Sequence, residues 1–112
     1  MTTPHPEDPV QRQLDAYNAH DLDRFLAEYH DDVRVFRPPA AEPVLVGKAA
    51  MGEHYARNRF NRPELHAALL NRMVAGAIVV DHEHITGLPD GPLVAIAVYE
   101  VVDGRIRTVW FY

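Results

Sequence analysis

The chain has 112 residues, a length that supports one domain with a single core. Its 16 acidic and 11 basic side chains give a net charge of −5 and no coherent basic face, which argues against a nucleic-acid partner. Cysteine is absent, so disulfides, thiolate metal sites and cysteine nucleophiles are excluded.

The N-terminal segment MTTPHPEDPV is polar and rich in proline. We therefore expect residues 1–8 to form a flexible lead-in and residues 9–112 to form a single domain. The segment has no apolar stretch that could act as a signal peptide, and no part of the chain approaches membrane-spanning length. A cytoplasmic protein that does not act at a membrane is the expectation.

Three amphipathic helices are predicted in the first half of the chain. Asp8 followed by Pro9 is typical of a helix start. Asp21 starts the second helix, in which apolar side chains fall at helical spacing. The third helix is expected to begin after Gly47 and to end before Pro63.

Six strands complete the predicted elements. Two precede the third helix and four follow it, at about 32–36, 43–47, 65–74, 77–86, 92–102 and 105–112. Asp103-Gly104 between the last two is a strong hairpin signal. Early helices followed by a run of strands predict an α+β fold with an antiparallel meander.

The segment PLVAIAVYEVV, predicted as the third meander strand, is apolar on both faces. An antiparallel sheet with one wet face alternates apolar and polar side chains instead. One face of the sheet is therefore expected to cover the helices. A second copy of the chain is the most economical cover for the other face.

Three segments carry a resemblance to a known family: VQRQLDAYNAHDLDRFLAEYHDDVRVF, GKAAMGEHY and YEVVDGRIRTVWFY. They resemble the nuclear transport factor 2-like superfamily, in its SnoaL-like and ketosteroid isomerase-like branches. The resemblance implies a cone-shaped, cystatin-like α+β fold, with a curved antiparallel or mixed sheet wrapped around the N-terminal helices. It also implies a homodimer through the convex sheet face, for which the predicted residues are Tyr99, Val101, Trp110 and Tyr112. Because the superfamily holds isomerases, cyclases, hydrolases and non-enzymatic binders, it assigns no reaction.

The catalytic residues of ketosteroid isomerase do not carry over to this chain. The resemblance places the aspartate base at Arg37, the oxyanion tyrosine at Gln13 and the protonated aspartate at Val98. Arginine cannot act as a base at physiological pH, so steroid isomerisation with those residues is not expected. The supporting tyrosines of that branch match Tyr29 and Tyr55, where Gln13 could accept a hydrogen bond. A purely structural role for both hydroxyls is the alternative.

Two histidines alternate with two acids in the segment VVDHEHITG. Strand alternation puts His82 and His84 on one face, and Asp81 and Glu83 on the other. Matched to the family, the histidine face turns to the pocket, although a slip of one residue would reverse both faces. His82 beside Glu100 is then a candidate catalytic acid/base pair, with a hydrogen-bonded core or rim histidine as the alternative. Since the pattern lacks a third ligand, no metal or other cofactor is expected.

The pocket that follows from this alignment has an apolar floor and a few polar groups. The floor is predicted to consist of Ile78, Val80, Ile96, Val98, Val109 and Phe111. The polar ligand-binding side chains are predicted to be Gln13, Tyr29, Arg37 and Tyr55. Inside an apolar pocket the Arg37 charge must be paired, by Glu100 or by an acidic ligand. At the pocket mouth it would be solvated instead.

Two functions follow from these observations. The first is a site for a small apolar molecule, with isomerase-, cyclase- or hydrolase-type chemistry as the enzymatic form. In it His82 is the acid/base, Glu100 orients it and Arg37 holds an anion. The second is a non-catalytic dimeric binding or assembly module, which the loss of the isomerase residues favours.

Overall fold

The computed structural model describes residues 5–112. The helices are α1 (Glu7–Asn18), α2 (Leu22–Ala27) and α3 (Lys48–Asn58). The strands are β1 (Tyr29–Phe36), β2 (Leu45–Val46), β3 (His66–Ala75), β4 (Ile78–Thr86), β5 (Leu93–Val102) and β6 (Arg105–Phe111). The predicted order of elements and the α+β class are confirmed. No helix within residues 5–112 is long and apolar enough to cross a membrane.

The helix starts differ in how they are capped. Asp21 caps α2 as predicted, because its carboxylate accepts a 3.1 Å hydrogen bond from the backbone N–H of Arg24. The cap of α1 is Pro6, which makes no side-chain cap bond. Two residues of the predicted lead-in, 7 and 8, are therefore helical, and residues 1–4 lie outside the described part of the chain.

The six strands form one mixed, open sheet in the order β2-β1-β6-β5-β4-β3. β1 runs parallel to β6, and all other neighbours are antiparallel. The β5–β6 hairpin turns at Asp103-Gly104 with positive φ at both residues, as the sequence predicted.

The helices cover one face of the sheet, which we call the inner face. Its fully buried side chains include Val79, Ala97, Ile106 and Val109, which contribute to a core with Val10, Phe25 and Met51 from the helices. The opposite, outer face carries a second set of partly exposed side chains: Ile78, Val80, His82, His84, Val94, Ile96, Val98, Glu100, Thr108 and Trp110. The outer face is the side predicted to be convex.

The end of α1 is fixed to the edge of the sheet. The amide of Asn18 donates to the carbonyl oxygen of Ala67 at 2.9 Å and accepts from its backbone N–H at 2.8 Å. His20, in the left-handed region with φ of 57°, bonds the carbonyl oxygen of Leu65 at 2.7 Å. These bonds hold α1 across β3, and they thereby position the inner surface of the helix.

The face assignment predicted for β4 is wrong. Val79, Asp81 and Glu83 are buried on the inner face, whereas His82 and His84 lie on the outer face. The two faces of this strand are equally apolar in sequence, so the pattern could not choose between them. The buried acid at Asp81 is tolerated because Arg72 neutralises it from β3.

The face assignment predicted for β5 is reversed for the same reason. Tyr99 and Val101 are buried on the inner face, at 3% and 9% exposure, and cannot belong to a dimer surface. The part of the predicted interface that does lie outside is Trp110. Tyr112 exchanges backbone hydrogen bonds with Ile96, which puts it on the outer side by register, although it also borders the inner cavity.

Candidate functional site

A cavity of about 240 Å³ lies between the inner face of the sheet and the helices. Its floor is polar and buried, and is formed by Gln13, Tyr29, Glu83 and Tyr99. Its walls are mainly apolar: Leu14, Tyr17, Phe25, Ala67, Ile85, Ala95 and Phe111. Because sites for drug-sized ligands span about 300–1,000 Å³, this volume suits a compact molecule.

Glu83 is the ionisable group on the cavity floor. Its side chain comes from the inner face of β4 and is 6% exposed. No hydrogen bond from residues 5–112 supports its carboxylate. Burial, together with the neighbouring charge of Asp81, raises the pKa of Glu83 to about 7, and Arg72 opposes this only in part. A carboxyl with this pKa can both accept and release a proton near neutral pH.

Behind Glu83 lies a buried ion pair. Arg72 donates two hydrogen bonds to Asp81, at 2.7 and 2.9 Å, and a third to the side-chain oxygen of Gln11 at 2.8 Å. The Asp81 side chain is fully buried and lies two residues before Glu83 on the same face of β4. The pair therefore sets the electrostatic environment of the cavity floor without lining the cavity itself.

A hydrogen-bonded chain fixes the polar donors beside Glu83. The Tyr29 hydroxyl donates to Gln13 Oε1 at 3.1 Å, and Gln13 Nε2 donates to the Tyr99 hydroxyl at 3.3 Å. Tyr99 accepts in this chain and so keeps its own O–H for a ligand. Burial holds the pKa of Tyr99 well above its ordinary value and raises that of Tyr55 to about 12, so both hydroxyls stay neutral donors.

The mouth of the cavity is positively charged. The guanidinium of Arg37 lies 5.4 Å from the centroid of the Phe111 ring, and Arg59 lines the opening from the end of α3. Neither arginine forms an ion pair within the described residues. Partial burial and the charges of both arginines lower the pKa of His54, so this side chain adds no charge at neutral pH.

The predicted ligand-binding residues divide into two groups. Gln13, Tyr29, Arg37, Tyr55 and Phe111 line the cavity, while Val109 packs in the core of the same inner face. The other four lie on the outer face, so their predicted place in the pocket is wrong: Ile78, Val80, Ile96 and Val98. A role in ligand binding for the residues that do line the cavity stays a prediction.

The predicted pair of His82 and Glu100 is not formed. In the β4–β5 ladder His82 is opposite Ile96 and Glu100 is opposite Ile78. The two positions are therefore separated by four residues, roughly 13 Å along the strands. Glu100 accepts a 2.9 Å hydrogen bond from Thr108 on the outer face, and so cannot pair with Arg37 in the cavity either. Among residues 5–112, no group of three histidine or acidic side chains could hold a metal ion.

The lining residues that the sequence analysis did not place in the pocket include the polar side chains of His54, Arg59, Glu83 and Tyr99. One cue could have found Glu83. Counted back from the turn at Gly76, Arg72 falls directly opposite Asp81. Opposite charges that pair across two strands allow that face of the sheet to be the buried one. Glu83 then follows on the inner face by alternation.

The open mixed sheet, the helices on one face and the cavity between them define a nuclear transport factor 2-like protein. The chain belongs to the SnoaL-like domain family, whose model matches residues 10–109. The resemblance seen in the sequence is thus confirmed. A comparison with curated proteins found no match.

Solved structures share the fold over nearly the whole chain. An uncharacterized cystatin fold protein from Novosphingobium aromaticivorans has a TM-score of 0.86 at 24% identity, covering 98% of this chain and 99% of that one. An NTF2-like protein of unknown function from Cytophaga hutchinsonii has a TM-score of 0.82 at 14% identity, covering 99% and 91%. Delta 5-3-ketosteroid isomerase from Mycobacterium sp. has a TM-score of 0.78 at 20% identity, covering 93% and 88%. At these identities the likeness is one of fold.

Proposed function

We propose that the chain binds a small apolar carbonyl compound in the inner cavity and that Glu83 transfers a proton to and from it. One observation carries the proposal. A buried carboxyl, without a hydrogen bond from residues 5–112, faces an apolar cavity and has a pKa of about 7. Structural ion pairs also perturb pKa values, but Glu83 has no partner of that kind among these residues.

The proton transfer needs two kinds of group, and both line the cavity. Ionised Glu83 takes a proton from the carbon next to the carbonyl. The electron pair of that C–H bond forms a C=C bond to the carbonyl carbon, and the π pair of the carbonyl moves to its oxygen. The neutral hydroxyls of Tyr99 and Tyr55 donate hydrogen bonds to the developing oxyanion. Glu83 then returns the proton to another carbon, which is isomerase-type chemistry, or to the same carbon, which exchanges it with solvent. This chemistry uses Glu83 in place of the predicted His82.

Replacing Glu83 by glutamine is expected to slow proton transfer by about 10²–10⁴-fold. The measurement is deuterium incorporation from solvent into 2-tetralone, a compact apolar ketone, followed by NMR. In the unmodified protein the rate should rise with pH through about 7, because the base must be ionised. Glu42→Gln, at an exposed carboxylate, is the matched control.

An unchanged exchange rate in the Glu83→Gln protein would refute the role of Glu83. If 2-tetralone bound without any exchange above the rate in buffer, the non-catalytic binding module would be the better description. That second function is favoured by the replacement of all three isomerase residues, at Gln13, Arg37 and Val98.

We further propose that a second copy of the chain covers the outer face of the sheet. One row of paired residues crosses five strands and is apolar throughout: Met73, Val80, Val98, Trp110 and Phe36. Phe36 and Trp110 are stacked with 6.1 Å between ring centroids, and Met73 is 61% exposed. A continuous apolar row on a partly exposed sheet face is typical of an interaction surface.

The polar residues beside this row support a two-fold arrangement. His82 lies in the next row on one side, and Glu100 lies in the next row on the other side. Suppose that a two-fold axis runs along the apolar row, in the plane between the two copies. The row that holds His82 in one copy then faces the row that holds Glu100 in the other copy. His82 of one copy thereby approaches the row that holds the partner's Glu100, so that an imidazole N–H can donate a hydrogen bond to the carboxylate.

Val98→Glu is expected to convert a dimer into a monomer, because it buries an unpaired charge in the middle of the interface. Sedimentation velocity over a concentration series measures this. Val74→Glu is the control, since Val74 is 43% exposed and lies opposite Val79 in the β3–β4 ladder, on the inner face of the sheet. An unmodified chain that sediments as a monomer, or a Val98→Glu variant that stays dimeric, would overturn this interface.

A further inference from the structure

We infer that the ligand of the inner cavity is an apolar carboxylate, held with its carboxylate at the mouth by Arg37 and Arg59 and its uncharged end against the floor. This inference rests on the proposed function, because it names the class of molecule that the same cavity accepts. It also assigns a role to Arg59, which the sequence analysis did not single out.

The basic side chains of the cavity lie at its opening, and the acidic side chain lies on its floor. Arg37 is exposed and Arg59 is half-buried, so both mark the opening. Glu83, the only acidic residue of the described segment 5–112 that lines the cavity, is almost fully buried on the floor. The protein carries a net charge of −5, yet these two arginines lack a carboxylate partner among residues 5–112. An anion from solution would supply that partner.

The floor excludes the opposite orientation of the ligand. A carboxylate placed there would lie beside Glu83, and close to the buried charge of Asp81 two residues away on the same face. Like charges so close in an apolar site destabilise each other strongly. The neutral hydroxyls of Tyr99 and Tyr55 suit a carbonyl or hydroxyl oxygen instead. The uncharged end therefore points inward.

The geometry of the mouth favours a carboxylate over a neutral polar group. The Arg37 guanidinium lies over the Phe111 ring, which holds it against the cavity wall. The N–H groups at the edge of a guanidinium held in this way stay free for bidentate hydrogen bonds, the arrangement that a carboxylate accepts best. Arg59 adds a second charge at the end of α3. A neutral amide of the same shape gains no ionic interaction with Arg37 or with Arg59.

The test compares two probes that differ only in charge: 2-tetralone bearing a carboxylate on its aromatic ring, and the matching carboxamide. Isothermal titration calorimetry on the full chain should show the carboxylate binding about tenfold tighter or more. In the double variant Arg37→Gln/Arg59→Gln the ratio of the carboxylate affinity to the carboxamide affinity should fall to near one, while the carboxamide binds as before. Raising the salt concentration from about 0.05 M to about 0.5 M should weaken only the carboxylate.

Arg57→Gln is the matched control, because Arg57 is on the same helix but pairs with Glu53 at 2.9 Å and does not line the cavity. It should keep the full preference for the carboxylate. Equal affinity for the two probes in the unmodified protein, or an unchanged preference in the double variant, would overturn the inference. Glu83→Gln separates this result from the proposed reaction: it should stop proton exchange and leave the carboxylate preference intact.

Discussion

Replacing Arg72 by methionine is expected to lower the free energy of unfolding by about 3–5 kcal/mol, the range for removing one partner of a buried ion pair. Asp81, at 0% exposure, would lose both of its charge-assisted hydrogen bonds. Methionine fills much of the same space, so the loss comes from the unpaired charge rather than from a void. Urea denaturation near neutral pH measures the change.

Two further variants test that explanation for Arg72. Arg57→Met breaks an exposed pair with Glu53 on α3 and should change the free energy of unfolding by about 0.5 kcal/mol or less. The double variant Arg72→Met/Asp81→Leu removes both charges and should recover most of the loss. A single variant that loses less than about 1 kcal/mol would show that the pair contributes little.

Replacing Glu83 by glutamine is expected to raise the free energy of unfolding by about 3 kcal/mol at about pH 8, since each pKa unit is worth about 1.4 kcal/mol. The pKa of Glu83 is about 7 in the folded protein and 4.5 ordinarily. The folded state therefore binds the proton more tightly than the unfolded state does. The stabilisation that protonated Glu83 contributes is complete below about pH 4.5 and is lost as the pH rises through about 7.

Denaturation of the Glu83→Gln protein and the unmodified protein at several pH values measures this difference. The two should be similarly stable below about pH 4.5, where Glu83 is protonated in both the folded and unfolded chains, and they should diverge above it. Glu42→Gln, at an exposed site, should show no such divergence. A constant difference across the pH range would mean that the pKa of Glu83 is not raised. A group that destabilises the fold when ionised is typical of a functional site.

The order of the elements was predictable from the sequence because its signals are local. Asp21 capped α2, and Asp103-Gly104 turned the last hairpin, where the sequence predicted. The face that each strand turns inward is not a local property. In β4 and β5 the two faces are about equally apolar, and the choice is decided by contacts with distant elements, such as the hydrogen bond between Gln13 on α1 and Tyr99 on β5.

The same distinction explains which parts of the candidate site were predicted. Gln13 and Tyr55 lie on amphipathic helices, whose buried side follows from their apolar spacing, and Tyr29 begins the strand that directly follows α2. These three were placed in the cavity correctly. Glu83 and Tyr99 lie on the two strands with ambiguous faces, and both were assigned to the wrong side.

Consecutive residues of β4 belong to opposite surfaces of the molecule. Glu83 faces the cavity, while His82 and His84, its chain neighbours, lie on the outer face. Substitutions can therefore change one surface without the other, but an inserted or deleted residue within the strand would exchange them. Insertions and deletions near β4 therefore leave both surfaces intact only if they fall in the turns that bound the strand, at residues 76–77 and 87–92. Related chains that keep both surfaces should vary in length at those turns and not between them.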